Sequence, residues 1–180
     1  DSDDEGDEES LYDEYGEWDK GTPYFDTSSS TSSGWYMGQG TDREEHVHEG
    51  RQTLDGGFIA IGHHWEKEED PTGFTDMIVL KTDSNGKEIW QTVIGTPDKF
   101  DVGYAVNELS DGYVASGGLY KDGSQKSAIV KLDFNGNIIW QKIFTHNGVG
   151  GIRGIEVLNN DDMVVTGYKE GDEEGFLFIS

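Results

Sequence analysis

Carboxylates are the most abundant groups in this chain that could do chemistry. The 180 residues include 37 acidic and 13 basic side chains, a formal net charge of −24. Because calcium prefers six to eight oxygen ligands, clustered carboxylates are candidate calcium sites. We predict three such clusters: Asp3, Asp4, Asp7, Glu66, Glu69, Asp70, Asp172 and Glu173. The alternative for each is a solvated, self-repelling segment, since none has the alternating acids, glycine and final glutamate of a calcium loop.

Histidines are the second group with chemical potential. His46 and His48 alternate on one predicted strand, and His63 and His64 follow the next strand. Imidazoles this close in sequence could bind a transition metal. The two strands need not bring them together, however, and the later repeat described below has neither pair. We therefore interpret these histidines as surface or packing residues and predict no cofactor other than the candidate calcium.

The sequence lacks the common motifs of nucleophilic catalysis and of phosphate or dinucleotide binding. There is no cysteine, no Gly-x-Ser-x-Gly nucleophile elbow and no glycine-rich phosphate or dinucleotide loop. We predict that the chain is not an enzyme, with a loop-built active site as the minor alternative. The net charge of −24 disfavours nucleic acid as a partner, and no apolar run reaches the roughly 18 residues of a membrane span.

Residues 1–33 differ from the rest of the chain. The first 20 residues carry 11 acids and one base, and aromatic residues follow among the acids. We predict an arm that packs along a neighbouring copy and buries Tyr12, Tyr15, Trp18, Tyr24 and Phe25. A hydroxyl run comes next and is either a flexible linker or a site of O-glycosylation, at Thr27, Ser28, Ser29, Ser30, Thr31, Ser32 and Ser33.

An internal repeat positions the remaining residues. Residues 55–62 resemble 111–117 and 161–167, and residues 81–91 resemble 131–141. The period of about 50 residues, with four short strands in each repeat, is typical of propeller blades. Asn-Gly between the third and fourth strands predicts a two-residue hairpin in which both turn residues have positive φ. In the second repeat we predict strands near 103–109, 112–118, 127–133 and 137–144.

A tryptophan stands 27 residues before a recurring glycine three times, at Trp35, Trp90 and Trp140. This placement favours packing between repeats over sugar-stacking platforms. Trp35 has the position of a tryptophan on a fourth strand, but the first three strands of such a repeat do not precede it. The third repeat, by contrast, has only three strands. The predicted boundaries are a donor strand at 34–40 and repeats at 44–95, 101–145 and 151–180.

The pattern Asp-Gly-Gly-aromatic-x-x-x-Gly, followed by Lys-x-Asp-x-Asn-Gly-x-x-x-Trp, resembles the repeat of secreted bacterial β-propeller-like proteins. The resemblance covers residues 34–180 and is weakest in the third repeat, where Asn160-Asp161-Asp162 replaces the glycine pair. It implies an all-β, extracellular or cell-surface scaffold that tolerates calcium, and no particular chemistry. The expected architecture is an array of about three four-stranded antiparallel blades, the last completed by an N-terminal strand from the same or a neighbouring chain.

An incomplete last blade would leave an unpaired strand edge, and such edges recruit other chains. We predict a structural subunit of an extracellular filament whose partners are copies of itself, joined head to tail. The predicted donor residues are Gly34, Trp35, Tyr36, Met37 and Gly38. The predicted acceptor residues are Phe176, Leu177, Phe178 and Ile179. The alternative is a closed six-bladed dimer that acts as a lectin-like adhesin with glycans as partners. A propeller enzyme is the minor alternative.

Overall fold

The computed structural model describes residues 23–24, 36–37, 45–65, 73–144, 149–169 and 175–179. Within these ranges all regular structure is β-strand, which confirms the all-β prediction. The chain divides into two compact units, an N-terminal unit at 1–39 and a main unit at 40–180. None of the described residues forms a helix long and apolar enough to cross a membrane.

All strand pairings within the sheets are antiparallel, and each sheet joins its strands in chain order. The N-terminal unit contains one pair of short strands, β1 (Pro23–Tyr24) and β2 (Tyr36–Met37). The first sheet of the main unit comprises β3 (Glu45–Gln52), β4 (Phe58–Trp65), β5 (Thr75–Thr82) and β6 (Glu88–Ile94). The second comprises β7 (Val102–Leu109), β8 (Gly112–Lys121), β9 (Ser124–Leu132) and β10 (Ile138–Ile143). The third comprises β11 (Val149–Val157), β12 (Met163–Lys169) and β13 (Gly175–Ile179).

Two apolar cores hold the three sheets of the main unit together, one on each side of the second sheet. Ile61 and Val79 of the first sheet pack in one core with Ala115 and Val130. The other core joins the second sheet to the third, at Ile152 among others. Strand β8 is buried on both of its faces for this reason, and its run of apolar and small residues matches that position.

The turns between third and fourth strands correct one prediction. Gly86 has a φ of +79°, but Asn85 is not in the positive-φ region. The backbone N–H of Gly86 donates to the carbonyl of Asp83 at 3.1 Å, and the N–H of Asp83 donates to the carbonyl of Lys87 at 2.9 Å, so the hairpin loop has three residues, 84–86. The Asp83 carboxylate accepts the N–H groups of Asn85 and Lys87 and so stabilises this loop. The second repeat has the same turn, with Asp133 in the place of Asp83.

Candidate functional site

The third sheet ends in a strand edge at β13. Strand β13 pairs with β12 along its length, with Phe178 opposite Val165 and Phe176 opposite Gly167. Among the described strands it has no second partner. In the first and second sheets the corresponding place is held by the fourth strands, β6 and β10. One more strand at the edge of β13 would therefore give the third sheet four strands, as in the first and second sheets.

The predicted donor segment contains a strand, but its pairing was not predicted. Tyr36 and Met37 form β2, which pairs with β1 through Tyr24 opposite Tyr36 and Pro23 opposite Met37. The other donor residues, Gly34, Trp35 and Gly38, lie outside the described residues. A strand has two edges, and β1 occupies one edge of β2.

Trp90, on the fourth strand of the first sheet, contacts the neighbouring sheet, as the packing prediction requires. Its indole Nε1 donates to the carbonyl of Phe134 at 3.0 Å, across the boundary between the sheets. Thr92, two residues on, donates to the carbonyl of Gly136 at 2.7 Å. A Cβ on Gly136 would lie 2.6 Å from the Trp90 ring, so the turn and the indole fit only because this residue is glycine.

Trp140 occupies the same position on β10 as Trp90 does on β6, but its surroundings differ. Its side chain is 38% exposed, and the adjacent Ile139 is 53% exposed. The turn that would cover Trp140 is the one between the third and fourth strands of the third sheet. The described part of that sheet stops at β13 and contains no such turn.

An ion pair links the recurring aspartate to the recurring lysine in the first two repeats. Lys81 Nζ donates to both carboxylate oxygens of Asp55, at 2.9 and 3.2 Å, and to the carbonyl of Thr82. Lys81 is 2% exposed although it carries a charge. The second sheet has the equivalent pair, Lys131 and Asp111, at 2.7 Å. From the sequence we predict no ion pair for this aspartate. The recurrence of both residue types was the signal for the pair.

The hydrogen bonds of Thr53 and Lys81 lower the pKa of Asp55 to about 2. Thr53 Oγ1 and the backbone N–H of Gly57 both donate to its Oδ1. A Cβ on Gly57 would stand 2.6 Å from Lys81 Nζ, so a glycine is needed for the close approach of the lysine. The Asp-Gly-Gly motif thus serves both the turn and the ion pair.

Each first strand carries a β-bulge opposite the recurring glycine of its sheet. Val47 pairs with Gly62 and Glu49 with Ile61, so His48 is the extra residue in the first sheet. The same shift in register leaves Tyr104 as the extra residue in the second sheet and Arg153 in the third. Bulges re-aim a side chain, and they are common beside functional sites.

The three bulge residues converge into a row across the sheets. The ring of His48 lies edge-on to that of Tyr104, with the centroids 5.2 Å apart. The guanidinium carbon of Arg153 lies over the same Tyr104 ring, 3.6 Å from its centroid. Two of the chain's three arginines lie on these first strands, and Arg51 pairs with Glu49 and Glu156. The row combines an imidazole, a phenol and a guanidinium on an otherwise strongly acidic chain.

The sequence leaves open whether the histidines meet, and the structure brings three of the four together. His46 lies opposite His63 in the ladder, and their ring centroids are 4.9 Å apart. The bulge brings His48 to the same place, with Nε2 3.1 Å from Nδ1 of His63. His64 is separate from this group, with Nε2 3.8 Å from Asp76. The sequence did not reveal the cluster, because the register between β3 and β4 decides that His63 lies opposite His46.

Several predicted sites lie outside the described residues. They are the calcium candidates Asp3, Asp4, Asp7, Glu66, Glu69, Asp70, Asp172 and Glu173, the aromatic residues Tyr12, Tyr15, Trp18 and Phe25, and the hydroxyl run 27–33. Tyr24 belongs to β1, and Phe176, Leu177, Phe178 and Ile179 belong to β13. Within the described ranges, no three His, Asp or Glu side chains already surround a point where a metal ion would fit.

Comparison with known proteins adds no family to this description. No protein-family model matches the chain, and no curated protein matches it.

Proposed function

We propose that this chain is a structural subunit of an extracellular filament that assembles head to tail by strand donation. The donor is β2 of one copy, and the acceptor is the edge of β13 in the next. In this arrangement the sheets act as successive propeller-like blades, and the donated strand completes the third one. The observation that carries the proposal is the strand edge of β13, at the place where the other sheets of the main unit have a fourth strand.

The position of Trp35 in the repeat supports β2 as the donor. Trp35 precedes Gly62 by 27 residues, as Trp90 precedes Gly117 and Trp140 precedes Gly167. Residues beside Trp35 therefore have the sequence register of a fourth strand. Strand addition supplies backbone hydrogen bonds to an edge that otherwise exposes its N–H and C=O groups to water.

The exposure of Trp140 agrees with an acceptor sheet that has only three strands among the described residues. Trp90 shows how a fourth-strand tryptophan packs when the adjacent sheet has its turn and fourth strand. Trp90 contacts the turn that precedes the fourth strand of the next sheet. For Trp140, the equivalent contact would come from the residues that precede the donated strand in the neighbouring copy. A completed third sheet would thus cover apolar surface on β10, and this burial would add to the free energy of assembly.

Proline substitution in β2 tests strand donation directly. Neighbouring residues of an antiparallel strand point their N–H groups to opposite sides. Of Tyr36 and Met37, one therefore faces β1 and the other faces the edge that would pair with β13. Proline removes the N–H donor and is poorly tolerated within a sheet. We expect Tyr36→Pro or Met37→Pro, whichever faces outward, to abolish filaments in negative-stain electron microscopy.

The other proline variant is the matched control, because it disturbs only the pairing with β1. Urea denaturation of both variants checks that the main unit keeps its stability. Filaments that persist in both variants, or wild-type protein that forms only monomers, would refute the proposal. Wild-type particles of twice the subunit mass with bound sugar would instead support the closed adhesin. Imaging with calcium and after chelation tests the carboxylate clusters on the same material.

The two tryptophans give a second prediction about assembly. Trp90→Ala should lower the free energy of unfolding by about 2 kcal/mol, because it removes packed ring surface and the bond to Phe134. Trp140→Ala should change it by less than about 1 kcal/mol, since the ring is already partly in water. Trp140→Ala should nevertheless raise the protein concentration needed for filaments, as measured by sedimentation. If both substitutions lower the free energy of unfolding equally, Trp90 and Trp140 do not differ in packing as described.

A further inference from the structure

Two imidazole nitrogens already stand at the separation of neighbouring ligands on one metal ion. Nε2 of His48 and Nδ1 of His63 are 3.1 Å apart. Metal–nitrogen bonds of about 2.0 to 2.1 Å place two adjacent ligands about 2.9 to 3.4 Å from each other, depending on the bond angle. The bulge at His48 and the ladder position of His63 hold the two rings from different strands.

We propose that His48 and His63, with His46 as the third ligand, bind a borderline transition-metal ion of the Zn²⁺ or Cu²⁺ class. The ring of His46 contacts that of His63, and a side-chain rotation would direct one of its nitrogens to the ion. Water would fill the remaining positions. Imidazole is a preferred ligand of zinc and copper, whereas calcium and magnesium require oxygen ligands, so the site would discriminate between the two kinds of ion.

Metal binding changes how the two rings carry their hydrogens. Nε2 of His48 and Nδ1 of His63 now form a hydrogen bond with each other. A metal ligand must present a lone pair, which only the neutral ring can do. The hydrogen now shared between Nε2 of His48 and Nδ1 of His63 would move to another nitrogen of the same ring.

The surroundings of the pair set its access and its affinity. His63 is 8% exposed, whereas His46 and His48 are exposed, so an ion would approach from the side of β3. Phe100 and Tyr104 lie against the rings and limit their rotation. The positive charge of Arg153 repels a cation at the site, whereas the net charge of −24 on the whole chain attracts cations. We expect an affinity below that of a fully formed structural zinc site.

Metal binding by the full chain is best measured with calcium in excess. Excess calcium competes for carboxylate oxygens, which would otherwise contribute weak binding of zinc or copper. Isothermal titration with ZnCl₂ should then show one site per chain. We expect His48→Ala and His63→Gln each to weaken this site about tenfold or more. The electron paramagnetic resonance spectrum of the Cu²⁺ complex should show nitrogen hyperfine splitting.

His64→Gln is the matched control. His64 follows His63 on β4, so its side chain points to the opposite face of the sheet. Unchanged zinc affinity in this variant, with loss in His48→Ala, would support the site. The absence of a stoichiometric zinc site under excess calcium would overturn it. Equal affinity of His48→Ala and wild type, or a copper spectrum with oxygen ligands only, would also overturn it. His48 is exposed, so its alanine variant should fold as the wild type does.

Discussion

Replacing Gly117 with alanine is expected to lower the free energy of unfolding by about 3 kcal/mol. A Cβ at this position would lie 2.0 Å from the carbonyl oxygen of Val102 and 3.0 Å from the Cα of Gly103. Both atoms belong to the backbone of β7 where its bulge begins, so they cannot move aside without breaking the ladder. Urea denaturation followed by tryptophan fluorescence measures the loss.

Gly50→Ala is the control for the Gly117 substitution. Its Cβ would meet the nearest atom, the carbonyl oxygen of Ile59, at 3.8 Å, which is ordinary van der Waals contact. We expect a change within about 0.5 kcal/mol, because exposed strand positions without a special backbone requirement tolerate substitution. If the two alanine variants unfold at the same urea concentration, the close approach of β7 and β8 at the bulge is not what requires glycine.

Replacing Asp55 with asparagine is the second substitution with a large expected effect. It would leave the ammonium group of Lys81 buried and without its anionic partner, since Lys81 is 2% exposed. Removing one member of a buried ion pair costs roughly 3 to 5 kcal/mol. We expect about 3 kcal/mol, at the lower end, because the side chain of Asp55 itself is 56% exposed and water can approach the lysine.

Asp111→Asn tests the same pair in the second sheet, where the lysine is less buried. Lys131 is 18% exposed, so its ammonium group keeps part of its hydration after the partner is lost. We expect a loss of less than about 1 kcal/mol. Adding Lys81→Met to Asp55→Asn should restore most of the stability, because neither member then leaves a buried charge. If the double variant is as unstable as Asp55→Asn, the loss of stability comes from the turn and not from the buried charge of Lys81.

The pKa of Asp55 determines how the Asp55→Asn difference depends on pH. The folded protein holds this pKa at about 2, below the ordinary value of 3.8. A depressed pKa contributes stability above the unfolded value, and this contribution is lost as the pH falls through the folded value. The gap between wild type and Asp55→Asn should therefore be constant from pH 7 to about 5. It should narrow between about pH 4 and 2. A gap that does not change with pH would exclude the ion pair as its cause.

Local patterns in the sequence were enough to place the strands of the main unit. The predicted strands at 103–109, 112–118, 127–133 and 137–144 match β7 to β10 closely, because alternation, apolar runs and turn residues are short-range properties. The exact turn was less predictable. Asp83 and Asp133 accept backbone N–H groups through their side chains, and the hairpin loops have three residues with one positive φ instead of two residues with two.

The recurring tryptophans show a limit of repeat reasoning. Their spacing predicted equivalent packing, yet Trp90 is covered by the turn at Phe134 and Gly136 while Trp140 is 38% exposed. The two residues have the same local sequence context. The difference comes from the neighbouring sheet, which belongs to the next repeat along the chain, so no property of the repeat itself reveals it.

The sequence by itself determined an all-β chain of repeats, the limits of the strands and the glycines and aspartates of the turns. These features follow from backbone preferences and side-chain alternation within a few residues. Only the tertiary structure decided that His48, Tyr104 and Arg153 form one row and that His48 meets His63. The pairing register and the bulges within it decide which side chains meet across strands, and stacking of the sheets then joins residues about 50 positions apart.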